Sequence, residues 1–229
     1  MKVVKLTYHG HSCFLIEFGG HKLLIDPFIT GNRLATVKPE DLRCDHILIT
    51  HGHNDHFGDT LQIAKANNAT VIATFELATF CEWKGCKVHP MHIGGSHDFD
   101  FGRVKLTIAH HGSAYIDDAI HYTGNPCGFV LTLDKKKIYH SGDTGLFLDM
   151  QLIGKKDKLD LALIPIGGNF TMDIDDAVEA VKFLKPKMAV PMHYDTFDLI
   201  KQDPLQFAKK LKSTRTKVKV IKPGESFTV

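Results

Sequence analysis

Four potential metal ligands lie within six consecutive residues, directly after an apolar run. The run 46–50 is typical of a buried strand, and the motif that follows it reads His51-Gly52-His53-Asn54-Asp55-His56. Because alternate side chains of an extended stretch share one face, His51 and His53 can hold one ion together. Asp55 and His56 are adjacent, so the chain must turn before they can face a second ion. Imidazole and carboxylate suit Zn²⁺ and, less tightly, Mn²⁺ or Fe²⁺.

Three more potential ligands stand at the ends of other apolar strands. They are His111, Asp143 and His193. Site residues of layered α/β proteins collect at strand ends. Structural zinc sites are closed and rich in cysteine, whereas catalytic sites keep an open position. No cysteine occurs in this set, so the pattern favours a catalytic metal site.

Two features near the amino terminus have two interpretations each. Asp26 ends the apolar strand 23–25, where a carboxylate either accepts hydrogen bonds in a turn or orients a metal-binding histidine. His9 and His11 flank Gly10 between the first two predicted strands. Both are turn or surface residues, or His11 lies near a site at the strand end.

Turn residues and hydrophobic spacing predict alternating strands and helices. Strands are expected over 3–8, 12–18 and 21–26, with a two-residue turn at Gly19-Gly20 joining the last two. Later elements include a helix starting near Phe57, helices over 60–67, 75–83, 173–185 and 204–211, and an irregular segment over 114–127 that covers the site. This order indicates βαβ units with right-handed crossovers.

The composition is that of one globular domain spanning 1–229. Hydrophobic residues make up 43% of the 229 residues, and the formal net charge of +2 gives no reason to expect tight nucleic-acid binding. The five cysteines are odd in number and contain no Cys-x-x-Cys, which favours reduced thiols. No apolar stretch is long enough for a signal peptide or a membrane span. We therefore expect a cytoplasmic protein that does not bind membranes.

The motif His-x-His-x-Asp-His resembles the signature of the metallo-β-lactamase fold superfamily. Other motifs are similar to those of uncharacterised bacterial and archaeal metal-dependent hydrolases near the lactonase and N-acyl-phosphatidylethanolamine phospholipase D branches. These motifs are Gly-His-Ser-Cys-Phe at 10–14, Ser-Gly-Asp-Thr-Gly at 141–145, Pro-Ile-Gly-Gly-Asn-Phe-Thr-Met-Asp at 165–173 and Pro-Met-His-Tyr-Asp-Thr-Phe at 191–197. The resemblance implies an α/β fold, specifically a four-layer αββα sandwich.

The resemblance also implies a ligand set for two divalent ions. It assigns His51, His53 and His111 to the first ion, Asp55, His56 and His193 to the second, and Asp143 to a bridging position. It places Asp26 at the end of the early hairpin as a support for the site. His110 and His111 compete for the third position, and the related branches show a His, any residue and then Ser. His111-Gly112-Ser113 matches that pattern, so we expect His111.

The implied activity is hydrolysis of an ester, lactone or phosphodiester by a hydroxide bridged by two ions, most readily Zn²⁺ or Mn²⁺. Asp55 would orient this hydroxide as a catalytic residue. His140 and Thr171 are candidates for contact with a small-molecule or phosphodiester substrate, or else ordinary loop residues. The residues that bind the substrate, and whether the protein forms a homo-oligomer, are left open by the sequence.

Three other functions are weighed against a hydrolase. A nuclease acting on RNA or DNA would normally carry an added arm or domain, for which 229 residues leave little room. A redox-active di-iron protein would normally bring a flavodoxin partner domain. A metal-binding protein without catalysis is disfavoured by the complete ligand set.

Overall fold

The computed structural model describes residues 2–229, which form sixteen strands, six α-helices and two short 3-10 helices, Pro39–Asp41 and Asp198–Ile200. The first elements are β1 (Lys5–Tyr8), β2 (Phe14–Phe18), β3 (His21–Ile25), β4 (His46–Leu48), α1 (Asn54–Phe57), α2 (Thr60–Asn67), β5 (Thr70–Thr74), α3 (Phe75–Trp83) and β6 (Lys87–Met91). The later strands are β7 (Ser96–Phe99), β8 (Gly102–Ile108), β9 (Ala114–Ile116), β10 (Ile120–Tyr122), β11 (Cys127–Leu133), β12 (Lys136–His140), β13 (Leu161–Pro165), β14 (Met188–Met192), β15 (Lys217–Val218) and β16 (Ser226–Thr228). The later helices are α4 (Met150–Asp157), α5 (Ile174–Leu184) and α6 (Pro204–Lys210).

The strands form two seven-stranded mixed sheets and a separate hairpin of β9 and β10. The first sheet has the order β16-β1-β2-β3-β4-β5-β6 and the second β15-β14-β13-β12-β11-β8-β7. Each sheet combines antiparallel hairpins with a parallel half, from β3 to β6 in the first and from β12 to β15 in the second. Strands that run in parallel end at the same edge of their sheet, so the loops that follow them can build one site.

The two sheets pack face to face between two layers of helices. A central core contains buried side chains from both sheets, such as Phe14, Ile72, Phe129 and Val190. A second core lies between one sheet and α4, α5 and α6, and a third between the other sheet and α1, α2 and α3. The four-layer αββα sandwich expected from the resemblance is therefore confirmed.

Several local predictions are confirmed. The bounds of α2 and α3 agree with the spacing of their apolar residues. The Gly19-Gly20 turn joins β2 to β3, because Phe18 pairs with His21. Helix α5 follows Asp173, whose carboxylate accepts hydrogen bonds from the backbone amides of Asp175 and Asp176 at 2.9 Å. This is an N-cap interaction.

Two local predictions differ from the structure, and one helix has no counterpart among the predictions. The helix expected to start near Phe57 begins at Asn54 and ends at Phe57, so Asp55 and His56 lie on it. The segment 114–127, predicted to be irregular, contains the β9–β10 hairpin, because Tyr115 packs its ring against helical side chains. Helix α4 was not predicted, since only Met150 and Ile153 of its residues are buried and the apolar pattern is weak.

All five cysteines are buried free thiols, as the sequence predicts. Among residues 2–229, no helix has both the length and the apolar character to cross a membrane.

Candidate metal centre

The seven predicted ligands converge at one edge of the sandwich. His51 and His53 follow β4, Asp55 and His56 lie on α1, and His111, Asp143 and His193 follow β8, β12 and β14. The site contains three groups of residues, and within each group the potential ligand atoms lie within 4.8 Å of one another. The groups are His51, His53 and His111; His51, His56 and Asp143; and His11, Asp55, His56 and His193. The structure thus brings the predicted residues together and adds His11 to them.

The first group consists of three histidines whose rings are close but not parallel. His51 Nε2 lies 3.0 Å from His53 Nδ1, and the ring of His111 lies 5.0 and 5.1 Å from the rings of His51 and His53. The exposed His110 instead stacks on Phe147 at 4.8 Å. This placement favours His111 over its neighbour as a ligand.

Hydrogen bonds to Asp26 decide which nitrogen of His51 faces the site. Thr50 Oγ1 donates to Asp26 Oδ2 at 2.7 Å, and the same hydroxyl lies 3.0 Å from His51 Nδ1. A hydroxyl has one proton, so it accepts from Nδ1–H of His51. We therefore assign an unprotonated Nε2 to His51, on the side of the ring that faces His53.

Asp26 also fixes the orientation of His56. Its Oδ2 lies 2.8 Å from His56 Nδ1, and its Oδ1 accepts from the Thr50 amide at 2.8 Å. Both side chains are fully buried. The other nitrogen of His56, Nε2, then faces Asp143 at 3.2 Å. Asp26 thus occupies the position expected of a carboxylate that orients metal-binding histidines without binding the metal itself.

Asp143 lies between the histidines of the two ions' expected sets. Its Oδ1 is 3.2 Å from His56 Nε2, while its Oδ2 is 2.9 Å from His193 Nε2 and 3.7 Å from His111 Nε2. Burial opposes ionisation of Asp143, but the neighbouring His193 and His56 outweigh it and hold the pKa of the carboxyl well below its ordinary value. The group is therefore an anion that needs positive charge nearby.

The sequence leaves His11 either a turn residue or a residue near the site, and the structure places it beside the predicted ligands. Its Nε2 lies 3.2 Å from Asp55 Oδ2, its Nδ1 lies 3.0 Å from Thr196 Oγ1, and its carbonyl accepts from the amide of His193 at 2.8 Å. Both His11 and His193 have φ of 56°, a left-handed conformation that is uncommon outside glycine. The signal in the sequence is its position just past a strand end.

The buried ligand atoms fit a divalent metal. Within the described chain, His56 Nε2, Asp143 Oδ1 and His193 Nε2 are buried and make no hydrogen bond, which is costly unless an ion satisfies them. Burial lowers the pKa of three histidines of the site, His51, His53 and His111. Imidazole nitrogens with carboxylate oxygens form a donor set suited to a borderline cation.

The two predicted substrate-contact residues do not line the cavity above these ligands. His140 is fully buried; its Nδ1 accepts from the Gly142 amide at 3.2 Å and its Nε2 donates to the Ser12 carbonyl at 3.0 Å. Nδ1 thus holds the loop that carries Asp143, and Nε2 ties the end of β12 to the loop between β1 and β2. Thr171 is also absent from the lining, where the neighbouring Phe170 stands instead.

The β9–β10 hairpin approaches the ligand loop closely at Gly52. A Cβ atom at this position would lie 2.3 Å from Thr123 Oγ1 and 3.0 Å from the backbone of Ala114. Ser113 Oγ accepts from the Gly52 amide at 3.1 Å and lies 2.7 Å from Thr123 Oγ1. Glycine is therefore required here by the space between the two segments.

Comparison with known proteins places this chain among metal-dependent hydrolases. Residues 5–193 match the family described as "Beta-lactamase superfamily domain". A UPF0173 metal-dependent hydrolase of Bacillus cereus strain B4264 is 56% identical over 229 residues, which cover 99% of this chain and 100% of the relative.

Solved structures show the same fold. Igni18, a metallo hydrolase from Ignicoccus hospitalis, is 40% identical with a TM-score of 0.92, covering 99% of this chain and 98% of that one. An isothiocyanate hydrolase from Delia radicum gut bacteria shares the fold with 21% identity and a TM-score of 0.78, covering 97% of this chain and 98% of that one. The chain therefore belongs to the β-lactamase superfamily domain family and, within it, to the UPF0173 metal-dependent hydrolases.

Proposed function

We propose that this hydrolase holds two divalent ions and directs a water-derived nucleophile at an ester, lactone or phosphodiester bond. The position of Asp143 carries the proposal. One oxygen of its carboxylate faces His56, and the other faces His193 and His111. A carboxylate placed between two ligand groups can serve both ions at once, as in two-metal hydrolytic sites.

Bound divalent ions would supply Lewis-acid polarisation of the scissile bond and make water nucleophilic near neutral pH. The chain itself supplies orientation. Burial opposes ionisation of Asp55, but the hydrogen bond from His11 is the main opposing cause and the pKa of the carboxyl is lowered. An ionised Asp55 at the cavity floor can accept a hydrogen bond from water and hold it in line for attack. The lowered pKa keeps the carboxylate ionised, and we assign it the role of orienting the water.

The donor set favours Zn²⁺ or Mn²⁺ as the resident metal. It contains imidazole and carboxylate groups and no thiolate, which suits borderline cations. The hydrolase relatives favour an enzyme over a metal-binding protein without catalysis. The buried free thiols support a reducing compartment, and we propose the cytoplasm.

Elemental analysis of protein purified without chelator tests the two-ion proposal. We expect about two divalent ions per chain in the wild type and a loss at both positions in Asp143→Asn. Asp134→Asn is the matched control, because Asp134 is exposed in the β11–β12 turn. One ion per chain in a fully reconstituted wild-type sample would contradict the proposal. Turnover of esters, lactones and bis-p-nitrophenyl phosphate by the same samples then identifies the bond type.

A further inference from the structure

An apolar wall stands beside the cavity floor that carries Asp55 and Asp143. The cavity has a volume of about 490 Å³, and the wall consists of Ile116, Phe170, Phe197 and Leu199. Phe170 is 50% exposed and Leu199 68% exposed. Large apolar side chains that remain in contact with water at the mouth of a site mark a surface for an apolar ligand.

The β9–β10 hairpin presents Ile116 to the cavity because its other face is anchored. Tyr115 packs its ring against those of Phe57 and Phe80 at 5.2 and 4.8 Å. Successive side chains of a strand point to opposite faces, so Ile116 points away from that contact. Ile120 is paired directly with Ile116 and is also exposed, which extends the apolar wall along the hairpin.

The segment that carries Phe197 and Leu199 is fixed by ring contacts and by hydrogen bonds to its backbone. The ring of Phe197 lies 5.6 Å from that of His11 and 6.1 Å from that of Phe28. Arg33 donates from Nε and Nη2 to the carbonyl of Asp195 at 3.0 and 2.6 Å. These contacts fix this part of the apolar wall in place next to the predicted metal ligands.

Apart from the two divalent ions proposed above, the lining carries no cation that could bind a phosphate. Among the described residues, neither lysine nor arginine lines this cavity. Arg33 is committed to the Asp195 carbonyl, and both Arg33 and Lys201 contact Asp198, at 3.4 and 2.9 Å. Phosphodiesters are usually held through arginine or lysine. The protein side chains of the lining therefore add nothing that holds an anion, whereas their apolar surface favours an uncharged ligand.

Given the hydrolase function proposed above, on which this inference rests, we infer that the substrate is an uncharged carboxylic ester, open or cyclic. Its apolar chain lies against Ile116, Phe170, Phe197 and Leu199 while the ester group lies over Asp55 and Asp143. In the reaction, the oxygen of water forms a bond to the acyl carbon and the bond from that carbon to the alkoxy oxygen breaks. One proton of the water ends on the alcohol, and the other product is the carboxylic acid, which ionises.

Two series of esters, assayed with the metal-loaded enzyme, test whether kcat/KM depends on the length of the substrate's apolar chain. One series is the p-nitrophenyl esters from acetate to octanoate, and the other is the acetates from ethyl to octyl, followed by acid release. We expect kcat/KM to rise about two- to four-fold per methylene in at least one series, as burial of a methylene predicts. Bis-p-nitrophenyl phosphate should be a poorer substrate than the long-chain esters.

Variants of the apolar wall locate the effect. Leu199→Ser and Phe170→Ser should each reduce the slope of kcat/KM against chain length. Leu205→Ser is the matched control, because Leu205 is 66% exposed on α6 and does not line the cavity. It should retain the wild-type slope.

A binding measurement separates this inference from the hydrolase proposal. Ligand-detected magnetic resonance with n-alkyl methyl ketones, which are neutral and not hydrolysed, should give a Kd that falls with chain length in the wild type and less so in Leu199→Ser. If ketone affinity rises with alkyl chain length but no ester is turned over, the apolar binding surface is supported and ester hydrolysis is contradicted. Ester turnover with no dependence on chain length in either series, or a preference for the phosphodiester, would overturn the inference and leave the hydrolase intact.

Discussion

His11 Nε2 lies 3.2 Å from Asp55 Oδ2, and its Nδ1 lies 3.0 Å from Thr196 Oγ1. Burial lowers the pKa of His11 to about 3, so the imidazole is neutral near neutral pH and carries one proton. A carboxylate can only accept, and we therefore assign that proton to Nε2, with Thr196 donating to Nδ1. The bond fixes the direction in which Asp55 points.

Replacing His11 should weaken the site without removing an expected ligand. Asparagine tolerates the left-handed backbone of this position, but its amide is too short to reach Asp55. We expect His11→Asn to bind one of the ions roughly 10–100-fold more weakly, as measured by competition with a fluorescent chelator. His92→Asn, a change at an exposed histidine outside the ligand groups, is the control. Equal affinities in all three proteins would show that His11 does not position Asp55.

The two adjacent histidines after β8 should behave differently. His111→Ala removes a side chain that lies 3.7 Å from Asp143, so we expect loss of one ion and of most activity. His110→Ala removes an exposed ring stacked on Phe147, and both ions should remain. Elemental analysis of both variants distinguishes them, and the reverse order would make His110 the ligand.

Asp26→Asn should lower both stability and metal affinity. The amide would place a donor against the Thr50 hydroxyl or His56 Nδ1, which both donate to this carboxylate. We expect the free energy of unfolding of the metal-free protein to fall by about 1–3 kcal/mol, measured by urea denaturation. Asp134→Asn makes the same change at a residue that shares a positive φ and is exposed. An equal decrease in the free energy of unfolding in that control would show that the hydrogen bonds of Asp26 are not the cause.

Asp160 should contribute stability that depends on pH. Burial alone would raise its pKa, but hydrogen bonds from Lys187 Nζ at 2.8 Å and the Lys137 amide at 2.9 Å outweigh this and lower the pKa. Since the folded-state pKa lies below the unfolded value of about 3.9, the stabilisation is complete above that value and is lost as pH falls through the folded pKa.

The comparison of the wild type with Asp160→Asn isolates this contribution. The wild type should unfold with the larger free energy near neutral pH, by about 1–2 kcal/mol. The difference should shrink once the pH falls below about 4, in urea titrations of metal-free protein. A difference that widens on acidification would show that the sign is wrong.

The sequence predicts the convergence of ligands well because they stand at strand ends. His51, His111, Asp143 and His193 are far apart in the chain, yet each follows a strand of one of the two sheets. Parallel strands bring such ends to a common edge, and no knowledge of side-chain contacts is needed for that prediction. The same reasoning found Asp26, which ends β3 beside β4.

Features that depend on contacts between distant segments could not be predicted. The bond from His11 to Asp55 exists because the loop after β1 meets helix α1, and no spacing in the sequence shows that meeting. The apolar wall could not be predicted for a related reason, since Phe170 is a single exposed residue in a loop and Leu199 lies in a one-turn 3-10 helix next to the buried Ile200. Helix α4 has too few buried positions for a clear period. That 1–229 is one domain stays a prediction.

The alternation of Tyr115 and Ile116 in the hairpin limits how the cleft can change. A slip of one residue in a strand exchanges its two faces, so it would put the tyrosine ring over the ligands and strip the helices of their aromatic contact. Substitutions at Ile116 or Ile120 alter only the outward face. Evolution of new selectivity in this scaffold can therefore proceed by exchange of hairpin residues, whereas single-residue insertions would damage anchoring and recognition together.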